Sequence, residues 1–280
     1  MADQVASRFV DGFVLEFAEA CEVVRCSGAD AATFLHGQVS QDITAMAVGA
    51  ERLALVLAPT GKLVALVRIA RTGEAEFLIE TPEGCGEAVR ARLARFLLRV
   101  DVTLTLETGF TAVRRATIGS EEGISWPNGV GVSTLSCGPT TDGVGPVASV
   151  EAEALRVWCA VPHMGAELTE DMIPAEAGNW LIESTVSFTK GCYVGQELIA
   201  RVDSRGNNTP RHMVQLRANE PLVLGELTAA DGGVVGSVTS VAAVDGQWLA
   251  LGFLARSAAE TDVLSDANGV ATEVVLTPGR

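Results

Sequence analysis

Lys190-Gly191-Cys192-Tyr193-Val194-Gly195-Gln196-Glu197 is the stretch from which this 280-residue chain is best read. It packs a cation, a thiol, a phenol, an amide and a carboxylate around two glycines, a polar density unlike that of a core segment. Gly191 and Gly195 permit backbone dihedrals, or the close approach of a ligand, that a side chain would obstruct. Downstream, Glu197-Leu198-Ile199-Ala200-Arg201 has a helical pattern, with Glu197 and Arg201 spaced for an ion pair one turn apart. With a helix start near Gly195, Cys192 lies just outside the N-terminus. Unpaired amides and the helix dipole there favour negative charge, and Lys190 is close in sequence, so both effects act to lower the thiol pKa. Tyr193 and Val194 could instead enclose the sulfur and silence it. The residues alone leave both outcomes open.

Working outward, residues 186–189 (Val-Ser-Phe-Thr) alternate like a strand leading into this segment, and a helical start is expected near residues 169–177. On the other side, Gly206-Asn207-Asn208-Thr209-Pro210 is the best boundary in the chain, because glycine favours a helix stop and proline prevents continuation. Beyond it, short strand candidates at 214–217, 222–227, 234–241, 249–255 and 271–276 suffice for a small barrel or sandwich. The expected division is a body at 1–206 and a β domain at 207–280.

Nearer the N-terminus, Ser27-Gly28-Ala29-Asp30 has the form of a capping box before a helix carrying Ala31, Phe34 and Leu35 and ending near Gly37. Apolar runs at 53–57 and 63–69 flank Ala58-Pro59-Thr60-Gly61-Lys62, which predicts a β-hairpin. This is not a phosphate loop, because Val56 stands where the first glycine belongs and Leu63 where the Ser or Thr belongs. Residues 87–100 predict an amphipathic helix, with Val89, Leu93, Phe96, Leu97 and Val100 on one face and Arg92, Arg95 and Arg99 on another. Strands are expected at 102–106 and 111–114, and loops with short edge strands across the Gly/Ser/Thr/Pro-rich 116–146. A mixed lobe at 49–115 within the body, followed by a β domain, makes the fold class α+β.

Hydrophobic residues make up 48% of the chain and charged ones 20%, enough to bury a sizeable core without staples. The start Met1-Ala2-Asp3-Gln4-Val5 lacks the charge and apolar run of a signal peptide, and no apolar run approaches a membrane span, so a cytoplasmic location with no membrane partner is expected. Six cysteines, at 21, 26, 85, 137, 159 and 192, match neither a disulfide framework nor a zinc knuckle, and no metal site is expected. His36, His163 and His212 are scattered in sequence, and each reads as an ordinary polar or core residue rather than a ligand. The net charge of −15 argues against direct nucleic-acid binding. Residues 87–100 and 190–217 are nonetheless locally basic, which suits a small anionic ligand or an acidic partner, or else solvated helix faces.

The octet 190–197, preceded by Ser187-Phe188-Thr189 and followed by Ile199-Ala200-Arg201, resembles the signature of the YgfZ branch of the folate-binding, aminomethyltransferase-like family. The likeness extends through Ser27 to Asp30, Phe34-Leu35-His36-Gly37-Gln38 with Gln41-Asp42, the Ala58 to Lys62 turn, Ile173-Pro174-Ala175-Glu176, and Val235-Gly236 to Ser240. It implies a multi-lobed folate-binding body resembling aminomethyltransferase with a small C-terminal β-barrel. It further implies tetrahydrofolate as ligand, and a role in assembling or repairing iron-sulfur proteins, tRNA-thiolating enzymes among them. On that resemblance Cys192 and Lys190 are the reactive pair, and Tyr193, Gln196, Glu197, Arg201 and Trp180 hold the folate, Trp180 having a core role as its alternative. The glutamate tail of a folate would also suit Arg92, Arg95, Arg99 or Arg205. The rival is a true aminomethyltransferase of the glycine cleavage type. That enzyme's Arg-Leu-Glu-Ala-Gly segment corresponds here to Arg156-Val157-Trp158-Cys159-Ala160, with Trp158 in place of the carboxylate. Enzymatic turnover is therefore left open, and an auxiliary role is the leading expectation.

Overall fold

The computed structural model describes residues 8–119, 124–126, 130–133, 137–138, 149–170, 172–206, 208–258 and 263–277. Residues 1–7, Asp171, Asn207, residues 259–262 and 278–280, and most of 120–148 lie outside that description, and with them most of the loops expected across 116–146. The body is organised by two long strands, β1 (Val14–Ser27) and, later in the chain, Thr103–Ile118. They pair antiparallel along their length, with a register shift between Cys21 and Val23. Between them come α1 (Ala31–Gln38), β2 (Glu51–Leu57), β3 (Leu63–Gly73), β4 (Glu76–Pro82) and α2 (Gly86–Ala94). With the Thr103–Ile118 strand as β5, and the short β6 (Ile124–Ser125), β7 (Val130–Ser133) and β8 (Cys137–Gly138), the sheet order is β2-β3-β4-β1-β5-β7-β6, with β8 also on β5.

The register shift in β1 decides where its side chains go, because an extra residue reverses which face the next positions occupy. Before it, Leu15 and Phe17 pack with Ala116 and Ile118 beneath α3 (Ser149–Trp158). After it, Val24 and Cys26 join a larger cluster with Phe34, Leu35, Phe77, Ile79, Val89 and Leu93. One strand thus serves two cores. A 3-10 turn at Pro174–Ala177, then α4 (Asn179–Thr185) and α5 (Gln196–Asp203), close over the larger cluster through Leu181, Ile182, Ile199 and Val202.

The C-terminal strands β9 (Arg211–Ala218), β10 (Gly225–Ala229), β11 (Val234–Val244), β12 (Gln247–Ala255), β13 (Leu264–Ser265) and β14 (Ala271–Leu276) form a closed barrel in the order β10-β11-β12-β9-β14-β13. Closure removes the exposed edges that an open sheet would offer for aggregation. The α+β class and the barrel agree with the sequence reading, as do the hairpin over residues 58–62 and the helix after Gly195.

Other expectations need correction. Ser27 ends β1 and caps nothing. Asp30 occupies the N-cap of α1 without a side-chain capping bond, and its Oδ2 instead accepts from the Asp101 N–H at 2.8 Å. The helix expected to Val100 stops at Ala94, and Arg99 has a left-handed φ of 58°, incompatible with helix continuation. Arg92 is 4% exposed, so the row of arginines is not one solvated face. The two strands expected at 102–106 and 111–114 are one. Residues 186–189 form no strand, because their chain turns toward α1, and the helical start near 169 is reduced to the 3-10 turn. Strand β10 begins at Gly225, three residues after the expected start at 222.

Candidate functional site

The end of α1 and the loop before α5 are sewn together. Helix α1 leaves its last carbonyls without intrahelical partners, and Lys190 supplies donors to that end. Its ammonium donates to the carbonyls of His36, of Val39 at 2.7 Å and of Gln41 at 3.1 Å. A cation at the C-terminal end of a helix is also favoured by the helix dipole. The three donors of Lys190 are therefore directed at backbone, and they tie the loop to the end of α1. Burial pulls the Lys190 ammonium down to about 8, with Asp42 opposing that shift. The Tyr193 ring lies 4.8 Å from Nζ, and burial pushes its phenol up to about 12.

More backbone contacts complete the seam. The Val194 N–H donates to the Gly37 carbonyl at 3.2 Å, and the Ser187 N–H donates to the Ser40 carbonyl at 3.0 Å. The Ser40 hydroxyl donates to the Thr185 carbonyl at 2.6 Å and accepts from the Leu55 N–H at 2.7 Å. Gln196 holds the turn from inside, its Oε1 accepting from the Tyr193 N–H at 3.2 Å. Gly195 has a left-handed φ of 86°, which glycine adopts freely, and α5 begins with the next residue.

On this frame Cys192 is exposed and its thiol is free. Of the two outcomes left open by the residues, enclosure by Tyr193 and Val194 does not occur. The other cysteines whose side chains are described differ. Cys21, Cys26 and Cys159 are buried, Cys85 is half-buried, and burial pushes the Cys26 thiol up to about 12 and the Cys159 thiol higher still.

The imidazole of His36 borders this loop, an arrangement that sequence spacing did not reveal. A Cβ placed on Gly191 would lie 3.9 Å from its Nε2, while its Nδ1 stands 3.2 Å from Asp42 Oδ1. That carboxylate oxygen also accepts from the Thr44 hydroxyl at 2.9 Å and the Ala45 N–H at 3.1 Å. The hydroxyl contact is the main cause holding Asp42 below the usual carboxylate range. Burial, then Lys190, lowers the His36 pKa, and Asp42 opposes them. The only sequence signal was the Phe34 to Gln38 run with Gln41-Asp42.

The remaining candidates divide. Glu197 and Arg201 are exposed on α5 and, among the described residues, do not close the ion pair their spacing predicts. Trp180 is half-buried on α4 and packs against both apolar clusters of the body. Trp158 lies obliquely against Phe9, with ring centroids 5.3 Å apart. Neighbouring Arg156 is held by Glu153 and by Glu167, the latter at 2.8 Å. No group of three or more His, Cys, Asp or Glu side chains suited to a metal ion occurs among the described residues. Among the same residues no helix is long and apolar enough to cross a membrane.

No family profile matches the chain. An uncharacterized protein of Haemophilus influenzae is 26% identical over 214 residues, covering 67% of this chain and 68% of that protein. A chloroplastic protein of Arabidopsis thaliana named a "putative transferase" is 32% identical over 139 residues, 48% of this chain but 31% of that longer protein. Among solved structures, the glycine cleavage system aminomethyltransferase T of Bartonella henselae superposes with a TM-score of 0.70 at 13% identity, over 96% of this chain and 86% of that one. The chain therefore has the fold of aminomethyltransferase T, built around a thiol-bearing loop locked to the end of its first helix.

Proposed function

We propose that this protein is a tetrahydrofolate-binding auxiliary factor of the YgfZ type, acting in the cytoplasm in the assembly or repair of iron-sulfur clusters. Its clients are iron-sulfur proteins or their assembly factors, tRNA-thiolating enzymes among them. Cys192 is its working group, as a transient ligand, redox thiol or partner contact. The observation that carries this reading is the exposure of Cys192 on a loop that Lys190, Val194 and Gln196 immobilise. A thiol needs access to react, and a rigid support sets its direction.

Folate enters through the aminomethyltransferase fold and through groups with suitable chemistry. Tyr193 offers an aromatic surface beside the loop, Gln196 an amide, Glu197 a carboxylate, and the exposed Arg201 a cation for the glutamate tail. Bound folate would supply a one-carbon or redox-active pterin, and this chain's residues would orient it. The division into a body at 1–206, with its lobe at 49–115, and a β domain at 207–280 is part of the same reading.

The test is rescue of a strain lacking the protein. Cys192→Ala, folded and still binding tetrahydrofolate, is expected to abolish restoration of iron-sulfur enzyme activity. Full rescue by that variant removes the thiol from the function.

The fold likeness gives a second reading, transfer of a one-carbon unit from an aminomethyl carrier to tetrahydrofolate. Trp158, packed on Phe9 where that reaction's carboxylate belongs, counts against it. Release of ammonia and methylene-tetrahydrofolate from such a carrier by the purified protein would decide for it.

A further inference from the structure

Arg92 is the one residue among those described whose buried side chain leaves a polar nitrogen without a partner. It is 4% exposed. Its Nε donates to the Leu57 carbonyl at 2.6 Å and its Nη1 to Gln38 Oε1 at 3.1 Å, while Nη2 makes no hydrogen bond. Among the described residues no carboxylate stands within ion-pair distance of it. Its electrostatic neighbour is instead another cation: burial first, and then Arg95, pulls the guanidinium down to about 10. Phe96 lies against the group, 4.9 Å from its central carbon. A buried guanidinium with an idle donor and no counter-charge is costly, and proteins ordinarily pair such a group.

The same residue forms part of the wall of a cleft of about 310 Å³ between the hairpin turn and α2. Pro59, Val64, Ala88 and Ala91 give the cleft apolar sides, while Arg95 and Glu170 also line it. These features select a ligand. The idle Nη2 and the lack of a counter-charge call for an anion, and the apolar sides call for a compact hydrocarbon body. Glu170 disfavours a second negative charge, which sets a carboxylate above a phosphate dianion. None of Lys190, Cys192, Tyr193, Gln196, Glu197, Arg201 or Trp180 lines the cleft.

We propose that this cleft is a binding site for a compact organic monocarboxylate, held by the free donor of Arg92 and packed against Pro59, Val64 and the small residues of α2. The ligand is a free small acid, since the aminobenzoyl-glutamate end of a folate carries two carboxylates and Glu170 disfavours the second.

Calorimetric titration of the full chain with benzoate tests it, with benzamide as the uncharged isostere, inorganic phosphate as the compact anion, and p-aminobenzoylglutamate as the dicarboxylate folate fragment. Saturable binding of benzoate is expected, with benzamide, phosphate and p-aminobenzoylglutamate weaker by about tenfold or more. Tighter binding of p-aminobenzoylglutamate than of benzoate would assign the cleft to a dicarboxylate and overturn the proposal. Arg92→Met should abolish binding. Should that variant not fold, Ala91→Leu, an exposed helical position that narrows the cleft with Arg92 intact, should weaken binding by about tenfold or more. Glu170→Gln should tighten it. Binding of phosphate alone, equal binding of benzamide, binding undiminished in Ala91→Leu, or an ordered water as the only partner of Nη2 would each overturn the proposal. Loss of carboxylate binding in Ala91→Leu with rescue by Cys192 intact would leave the iron-sulfur reading standing, so the two fail separately.

Discussion

Gly61 and Gly195 meet backbone against backbone. A Cβ on Gly195 would lie 3.2 Å from the Gly61 Cα and 2.7 Å from the Ala58 carbonyl oxygen, and a Cβ on Gly61 would lie 2.8 Å from the Gly195 carbonyl oxygen. Both residues are left-handed, at φ +82° and +86°. The hairpin turn and the thiol loop, remote in sequence, thus touch at the two positions that lack side chains.

Replacing either glycine by alanine is expected to destabilise the protein by roughly 2–4 kcal/mol, the sum of a strained dihedral and a backbone clash. Gly232→Ala is the control, since it shares a left-handed φ of +81° but has nothing within 4 Å. It should cost only about 1 kcal/mol. Chemical denaturation of the three variants gives the comparison, and equal losses at all three would show that the close contact contributes nothing.

Lys190→Met should cost about 2–4 kcal/mol, because it leaves the carbonyls of His36, Val39 and Gln41 without their donor. The pH dependence has a definite sign. Burial lowers the folded value to about 8 from an ordinary 10.5, so the folded chain holds fewer protons than the unfolded chain between those values. Stability from this group therefore rises with pH across that window, and the penalty is complete below about 8. The unfolding free energy of wild type should therefore pull further above that of Lys190→Met as pH rises through that window and run parallel to it below about 8, and parallel profiles throughout would refute the assignment.

Iodoacetamide on the native protein should modify Cys192 well before Cys21, Cys26 or Cys159. Access decides the order, and burial additionally raises the thiol pKa of Cys26 and Cys159. Peptide mapping by mass spectrometry reads the order directly. Native labelling of Cys26 or Cys159 at the rate of Cys192 would contradict the structure.

Glu167 ties α3 to the barrel. Its carboxylate accepts from Arg156 at 2.8 Å, from the hydroxyls of Ser240 at 2.6 Å and Thr239 at 2.7 Å, and from the His163 N–H at 3.1 Å. Burial acts to raise its pKa, but Arg156 and the hydroxyl donors outweigh it and hold the group below the usual carboxylate range. Its stabilisation is therefore present above the unfolded value of 4.5 and is lost as pH falls through the lowered folded value. Glu167→Gln should cost about 3 kcal/mol at neutral pH. Thermal unfolding should show that difference shrinking in acid, and a constant gap would speak against the ion pair.

Some elements were legible for local reasons. Strand β11 of the barrel alternates buried and more open positions and β12 is a continuous apolar run, the Ala58 to Lys62 turn carries its Pro and Gly between apolar runs, and α5 follows a glycine that can take a left-handed φ. Strand β1 was not legible. Glu16, Glu19 and Glu22 interrupt its apolar positions, and the register shift after Cys21 breaks the period of two. Helix α2 was overextended because Phe96, Leu97 and Val100 keep a helical spacing after the backbone has left the helix. Arg92 was misplaced because spacing cannot tell a buried arginine from a solvated one.

What the amino-acid order determined by itself is local: where strands alternate, where glycine can turn, and which eight residues concentrate reactive groups. Tertiary packing alone decided that Lys190 caps α1, that His36 borders the loop, that Cys192 is left open, and that Arg92 is buried with an idle nitrogen. Each of those depends on residues distant in the chain meeting through hydrogen bonds and close backbone contact. Such meetings arise only when the whole chain closes, and no period or motif along the sequence encodes them.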